Sequence, residues 1–83
     1  MIMTVRYFAG ARVAAGVGDE RFTVSSEATV HDVLRMVEER HGADMTRVLP
    51  ACSLLLDGVA VRDTGVPVRD GVELDVLPPF AGG

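Results

Sequence analysis

Eighty-three residues with a net charge of −4 make one domain with a small core, since a chain of this size buries only about 60–65% of its unfolded surface. One cysteine, Cys52, excludes an internal disulfide and any Cys-ligated metal cluster, and His31 and His41 alone make no metal-ligand set, so no metal site is expected. No run is long enough to span a membrane and no basic patch suits nucleic acid, so neither is an expected partner; the acidic balance suits a basic protein surface.

The first residues, MIMTVRYF, lack the basic n-region and long apolar h-region of a signal peptide, and a cytoplasmic location is expected. From Met1 to Phe8 the chain alternates as a strand does. Met1, Met3, Val5 and Tyr7 share one face, read as core; Ile2, Thr4, Arg6 and Phe8 share the other. Ala9–Gly18, rich in Gly and Ala, reads as a loop with one helical turn at Ala11–Ala15, and no Lys-Ser/Thr follows any of its glycines as a phosphate loop requires. A second strand is expected from Arg21 to Ser25, with Phe22 and Val24 inward, pairing with the first as a hairpin.

The clearest helix runs from Val30 to His41. Thr29 is its N-cap and Asp32 its capping-box acid; Val30, Val33, Leu34 and Val37 make one apolar stripe, and Gly42 sits where a left-handed C-terminal residue belongs. His31 has no nucleophile near it in sequence and reads as a solvent-facing residue of the first turn, as Glu38, Glu39 and Arg40 read as a solvated face. Asp44–Leu49 adds a short helical turn before Pro50. Cys52–Leu56 is a third strand holding a buried, inert thiol, Asp57-Gly58 a turn, Val59–Arg62 a fourth strand and Asp63–Asp70 a loop. In the last strand, Val72–Leu77, the residues Val72, Leu74 and Val76 alternate with Glu73, Asp75 and Leu77. Leu77 thus closes a polar face with an apolar group, as Phe8 does in the first strand, and the two together read as a small docking patch.

The chain closes on Pro78, Pro79, Phe80, Ala81, Gly82 and Gly83. The prolines cannot extend a central ladder and stiffen the exit from the strand. The two glycines lack a Cβ, so they pass where other residues do not fit. Residues 78–83 are expected to form a flexible tail on a domain of residues 1–77, and an extended tail of that length reaches about 20 Å, far enough to enter another protein. The plain alternative is an idle terminus.

The order ββαβββ, with one helix over one sheet, is an α+β two-layer architecture. It resembles the ubiquitin-like β-grasp sulfur carriers of the MoaD/ThiS family, and within them the MoaD type, the small subunits of molybdopterin synthase. The resemblance covers nearly the whole chain. It rests on Tyr7-Phe8-Ala9 with Arg12, Thr29-Val30 at the helix start, Pro67, Asp70-Gly71-Val72-Glu73, and above all the ending Pro78-Pro79-Phe80-Ala81-Gly82-Gly83. Leu56-Asp57-Gly58 departs from the family's frequent Val-Asn at that turn, and Phe80 replaces a usually smaller residue.

The resemblance implies a mixed five-stranded sheet with the first and last strands parallel at its centre. It also implies that the Gly83 carboxylate is adenylated and converted to a thiocarboxylate whose sulfur goes to the molybdopterin dithiolene. The implied partners are an ATP-dependent adenylyltransferase of the MoeB/ThiF type, a sulfurtransferase that donates a persulfide, and the large synthase subunit, with two copies of each subunit in a heterotetramer. ATP is used by the activating partner; this chain binds no cofactor of its own, and catalysis sits in the partners. Phe8 and Leu77 are the expected docking residues, with Arg12 adding a charged contact at the rim, and Phe80, Ala81 and Gly82 lead into the partner's channel. Carriers for thiazole, thiolated tRNA or cysteine share these features, as does a ubiquitin-like modifier joined to lysines through Gly83. A non-covalent β-grasp binding module, for which the Gly-Gly end is irrelevant, stays open too.

Overall fold

Alternation in Met1–Phe8 becomes strand β1, Ile2–Tyr7, with Met3, Val5 and Tyr7 no more than 2% exposed. The computed structural model describes residues 1–79. After β1 come helix α1 (Ala9–Ala15), strand β2 (Asp19–Thr23), helices α2 (Val30–His41) and α3 (Ala43–Val48), a 3-10 turn (Leu49–Ala51), and strands β3 (Ser53–Leu56), β4 (Val59–Ala60) and β5 (Glu73–Leu77). The sheet order is β2-β1-β5-β3-β4. β1 and β5 are parallel at its centre, with Val5 beside Leu74 and Tyr7 beside Val76; the other pairings are antiparallel.

Helix α2 forms where the local signals place it. The Thr29 hydroxyl accepts from the Asp32 amide, and the Asp32 carboxylate accepts from the Thr29 amide, which closes the capping box. The bonds that the Thr29 amide and hydroxyl donate to the Asp32 carboxylate hold it below its ordinary value. The next open donors of the first turn, the amides of Val30 and His31, bond to the carbonyls of Val66 and Thr64, so the loop before β5 satisfies the start of the helix. Val30, Val33 and Val37 are fully buried against the sheet, while Leu34 is half-buried at the margin. Gly42 ends the helix at φ 78.

Four expectations are corrected. Ala9–Gly18 is not mainly loop: α1 spans seven residues from Ala9, buries Ala11, and stops at Gly16, whose φ of 77 only glycine takes without strain. The strands are shorter or shifted. β2 starts at Asp19 and ends at Thr23 rather than running from Arg21 to Ser25, although Phe22 and Val24 do face the core. β4 keeps only Val59 and Ala60. Cys52 lies before β3, not in it, and is half-buried, its thiol bonded to the Val48 carbonyl at 3.4 Å. Asp75 is not a solvated residue of the charged face but is 8% exposed.

The turns follow their residues. Asp57 and Gly58 have φ 47 and 81, the two positive angles of a type I′ hairpin, and Leu56 pairs with Val59 to close it. Among the described residues no helix is long and apolar enough to cross a membrane.

Candidate functional site

Parallel pairing of β1 and β5 brings the C-terminal ends of both strands to the same end of the sheet. The Phe8 amide donates to the Val76 carbonyl at 3.1 Å, which sets Phe8 beside Leu77, the residue from which the chain leaves toward Pro78. Phe8 is 39% exposed and Leu77 half-buried, and the pairing places the two predicted docking residues on neighbouring positions of the outer face, at the root of residues 78–79. Ala9 follows at φ 48, in the left-handed region that alanine rarely occupies, and turns the chain sharply into α1. Arg12 is exposed on α1, its guanidinium against Gly18, where an added Cβ would stand 3.4 Å from Cζ. Gly18 accepts from the Tyr7 amide just before β2, so the Arg12 guanidinium lies on the β2 side of the end of β1, and Leu77 lies on the β5 side.

Beneath this patch the outer face carries a charged pair that sequence reading missed. Arg6 Nε and Nη2 donate to the two carboxylate oxygens of Asp75 at 2.6 and 2.8 Å, with Glu73 at 3.8 Å. The bond and charge of Asp75 raise Arg6 above its ordinary value. The Arg6 guanidinium lies 5.7 Å from the Phe8 ring centroid.

A second missed group sits on the inner side of the sheet's β2 edge. Glu20 alternates with Phe22 and so points inward, where it meets the Tyr7 hydroxyl at 2.5 Å, Arg40 Nη1 at 3.1 Å and the ring of His41. Burial works to raise the Glu20 carboxyl, but the bonds from Tyr7, His41 and Arg40 outweigh it and hold it below its ordinary value. Burial first, then the bond to Glu20, pushes the Tyr7 phenol up. Arg40 also lies over the Phe22 ring at 4.1 Å, and His41 meets Tyr7 edge-on at 5.7 Å. The cluster has its donors and acceptors matched to one another and closes the end of the core. The alternation of β2 was the signal that could have found it: an acid in step with Phe22 and Val24 needs partners.

Burial raises the Cys52 thiol, which makes it a poorer nucleophile. His31 is exposed on the first turn of α2, as read. Among the described residues no three His, Cys, Asp or Glu side chains are grouped to hold a metal. Phe80, Ala81, Gly82 and Gly83, the residues expected to carry the chemistry, lie outside the described residues.

The model of the ThiS family matches residues 5–83. The chain is similar to the molybdopterin synthase sulfur carrier subunit of Chlamydomonas reinhardtii, 32% identical over 84 residues, with all of both chains covered. Among solved structures it is similar to SAMP1 from Haloferax volcanii, with a TM-score of 0.90, 30% identity and full coverage of both chains. It shares its fold, at a TM-score of 0.75, 19% identity and full coverage of both chains, with a chain from the complex of subunits 1 and 2 of the molybdopterin-converting factor of Helicobacter pylori. The five-stranded mixed sheet crossed by α2 is the ubiquitin-like β-grasp, and the chain belongs to the ThiS family.

Proposed function

We propose that this chain is a sulfur carrier, the small subunit of a molybdopterin synthase, and that its cargo is held on Gly83. The observation that carries the reading is the full-length likeness, at 32% identity, to a molybdopterin synthase sulfur carrier subunit, together with a family match that runs through the Gly-Gly end.

The chemistry follows from the end group. A terminal carboxylate, with a pKa of about 3.3–3.7, is ionised at neutral pH and a poor electrophile. In the proposed sequence it attacks the α-phosphorus of ATP on an adenylyltransferase and expels pyrophosphate. The outer sulfur of a partner's persulfide then displaces AMP, and a thiol cleaves the S–S bond to leave the thiocarboxylate on Gly83 and a disulfide on the donor side. The glycines present no side chain to a partner that must surround the acyl group and offer it oxyanion donors. The chain's own part is docking: Phe8 as anchor, Leu77 beside it and Arg12 at the rim, all at the root of the segment that delivers Gly83. The Helicobacter pylori neighbour is named as a complex of subunits 1 and 2, which supports a large subunit as the second partner.

The test is mass spectrometry of the full chain after incubation with a ThiF-type adenylyltransferase, ATP and a persulfide donor. Gain of one oxygen-for-sulfur exchange at Gly83 is expected, followed by dithiolene formation when the large subunit and the pyranopterin precursor are added. A chain that stays unmodified rejects the reading. A second reading is favoured by the likeness to SAMP1, a small archaeal modifier protein: attachment through Gly83 to lysines of other proteins. The chain contains no lysine, so polymers through its own side chains are not expected. Covalent Gly83–lysine conjugates in cells, with no dithiolene formed in the reconstituted reaction, would favour the modifier.

A further inference from the structure

Asp75 is the buried charged residue among the described residues, 8% exposed, and it lies on the face of the sheet that α2 does not cover. A carboxylate in the middle of such a face ordinarily stays hydrated. Its neighbours across the sheet are Arg6 on β1 and Leu55 on β3. The Arg6 fork takes both carboxylate oxygens, at 2.6 and 2.8 Å, a geometry that fixes the guanidinium plane as a single contact would not. Phe8 follows two residues on, on the same face, with its ring centroid 5.7 Å from Arg6 Cζ. Directly after Phe8 the backbone leaves the strand through the left-handed Ala9. No continuing strand therefore holds the aromatic from its C-terminal side, and Arg6 supports it from the other.

We propose that Arg6 is a positioning residue for the docking face: pinned by Asp75, its guanidinium holds the exposed Phe8 ring in the orientation that the activating adenylyltransferase receives. This rests on the sulfur-carrier reading above. Two further observations favour it over the simpler roles of stabilising the fold or offering a positive charge. The Arg6 side chain is 42% exposed, and an ion pair open to solvent on one side adds little net stability. And Arg6 is already neutralised, with Asp75 on it, Glu73 at 3.8 Å and Asp19 opposite it on β2. What the face shows outward is a fixed aromatic with an acidic rim of Glu73 and Asp19, the complement of a basic partner surface with an apolar recess. An anchor held in its bound orientation beforehand costs less to order on binding.

The test uses Arg6→Leu/Asp75→Ala, which removes the pair and leaves the net charge unchanged, and Arg6→Lys, which keeps the charge without the flat fork. In the free full chain, NMR should show contacts between the Arg6 side chain and a single Phe8 rotamer in the wild type, rotamer averaging in the double variant, and intermediate behaviour in Arg6→Lys. With an adenylyltransferase that modifies the wild type, KM for the carrier should rise about two- to fivefold in the double variant, the range expected for loss of an exposed cation–π contact, with kcat unchanged. The melting temperature should stay near that of the wild type. An unchanged Phe8 rotamer in the double variant overturns the proposal. So does an unchanged KM alongside a large loss of thermal stability, which would make the pair structural. Should the double variant not fold, Arg6→Lys decides by the same two measurements. The NMR arm needs no partner, so a wild-type chain that is never adenylated rejects the sulfur-carrier reading, while the rotamer measurement still judges the positioning.

Discussion

The inner face of β1 and β5 presents Val5, Tyr7, Leu74 and Val76 to the helices, each no more than 2% exposed; the outer face of the same strands presents Arg6, Phe8, Asp75 and Leu77. The inner set is apolar apart from one hydroxyl, and that hydroxyl is bonded to Glu20. It supplies the hydrophobic burial that the fold depends on, about 1.5–3 kcal/mol for each large apolar side chain. The outer set contributes less to holding the chain together and places an aromatic and a leucine at the root of the segment leading to Gly83. Two alternating residue sets on one pair of strands thus divide the folding core from the proposed docking face, and each is expected to be alterable without the other.

The sharpest break in that division is expected beyond the sheet. Among the described residues the buried core runs to Val76, and changes at Gly82 or Gly83 are expected to leave the melting temperature where it is. Deleting Gly83 moves the reacting carbon by up to ~3.6 Å, and a misplacement of 1 Å alone costs on the order of a hundredfold in rate. Adding a residue after Gly83 puts the carboxyl on the wrong residue. Gly82→Ile adds a branched Cβ and disfavours positive φ. All three chains should fail to gain sulfur in the mass-spectrometric assay. Full thiocarboxylation of Gly82→Ile would show that the partner's channel is not narrow there.

Next in size is the outer anchor. Phe8→Ala should weaken binding to the adenylyltransferase by about 2 kcal/mol, roughly thirtyfold in Kd, as loss of a central aromatic anchor does. Titration calorimetry measures the affinity, and circular dichroism should show the fold kept, since Phe8 is already 39% exposed. Equal affinity, or an unfolded chain, would undo the division between the faces.

The inner side is tested at Glu20. Its folded carboxyl lies below the ordinary value, so the stabilisation it gives is present above the unfolded carboxylate's pKa of about 4.3 and is lost as pH falls through the lower folded value. Glu20→Gln keeps the shape but removes the charge that Arg40, Tyr7 and His41 face, and should cost about 1–2 kcal/mol. That is on the order of 4–16 °C in melting temperature for a domain of this size. It should also flatten the acid arm of stability against pH. Thiocarboxylation of the folded variant should be unaffected. An acid arm as steep as in the wild type would mean that other carboxylates carry it.

What the sequence made legible divides by distance along the chain. Helix α2 is readable to the residue because its signals are local: Thr29 and Asp32 at one end, Gly42 at the other, and valines three and four apart between. Helix α1 is harder to read because Phe8 offers its first turn no side-chain cap and no acid is present there; Ala11 is its one buried residue. Leu77 and Phe8 stand out in the sequence as apolar residues that close polar faces, and the parallel pairing sets them on neighbouring positions. The Arg6–Asp75 fork joins residues 69 apart through parallel pairing, a contact that alternation within either strand cannot show. Cys52 was placed one residue too far into β3 because Leu54 and Leu56 continue its alternation, while the chain is still closing the turn after Pro50.

That last residue gives the smallest expected effect. Cys52 is half-buried among Leu34, Leu49 and Leu54, its thiol donating to the Val48 carbonyl at 3.4 Å, and burial raises the thiol so that little thiolate forms near neutral pH. A sulfur relay through it would need an exposed, low-pKa thiol, the opposite of what stands there. Cys52→Ser keeps a donor for the Val48 carbonyl and loses some apolar contact. A cost of about 0.5–1 kcal/mol is expected, the lower end of what burying a hydroxyl costs when a bond is available. Thermal denaturation measures that cost, and the mass-spectrometric assay should show thiocarboxylate formed at the wild-type rate. A serine variant that folds but takes up no sulfur would place this thiol in the transfer path and refute the view that this chain only carries the sulfur its partners supply.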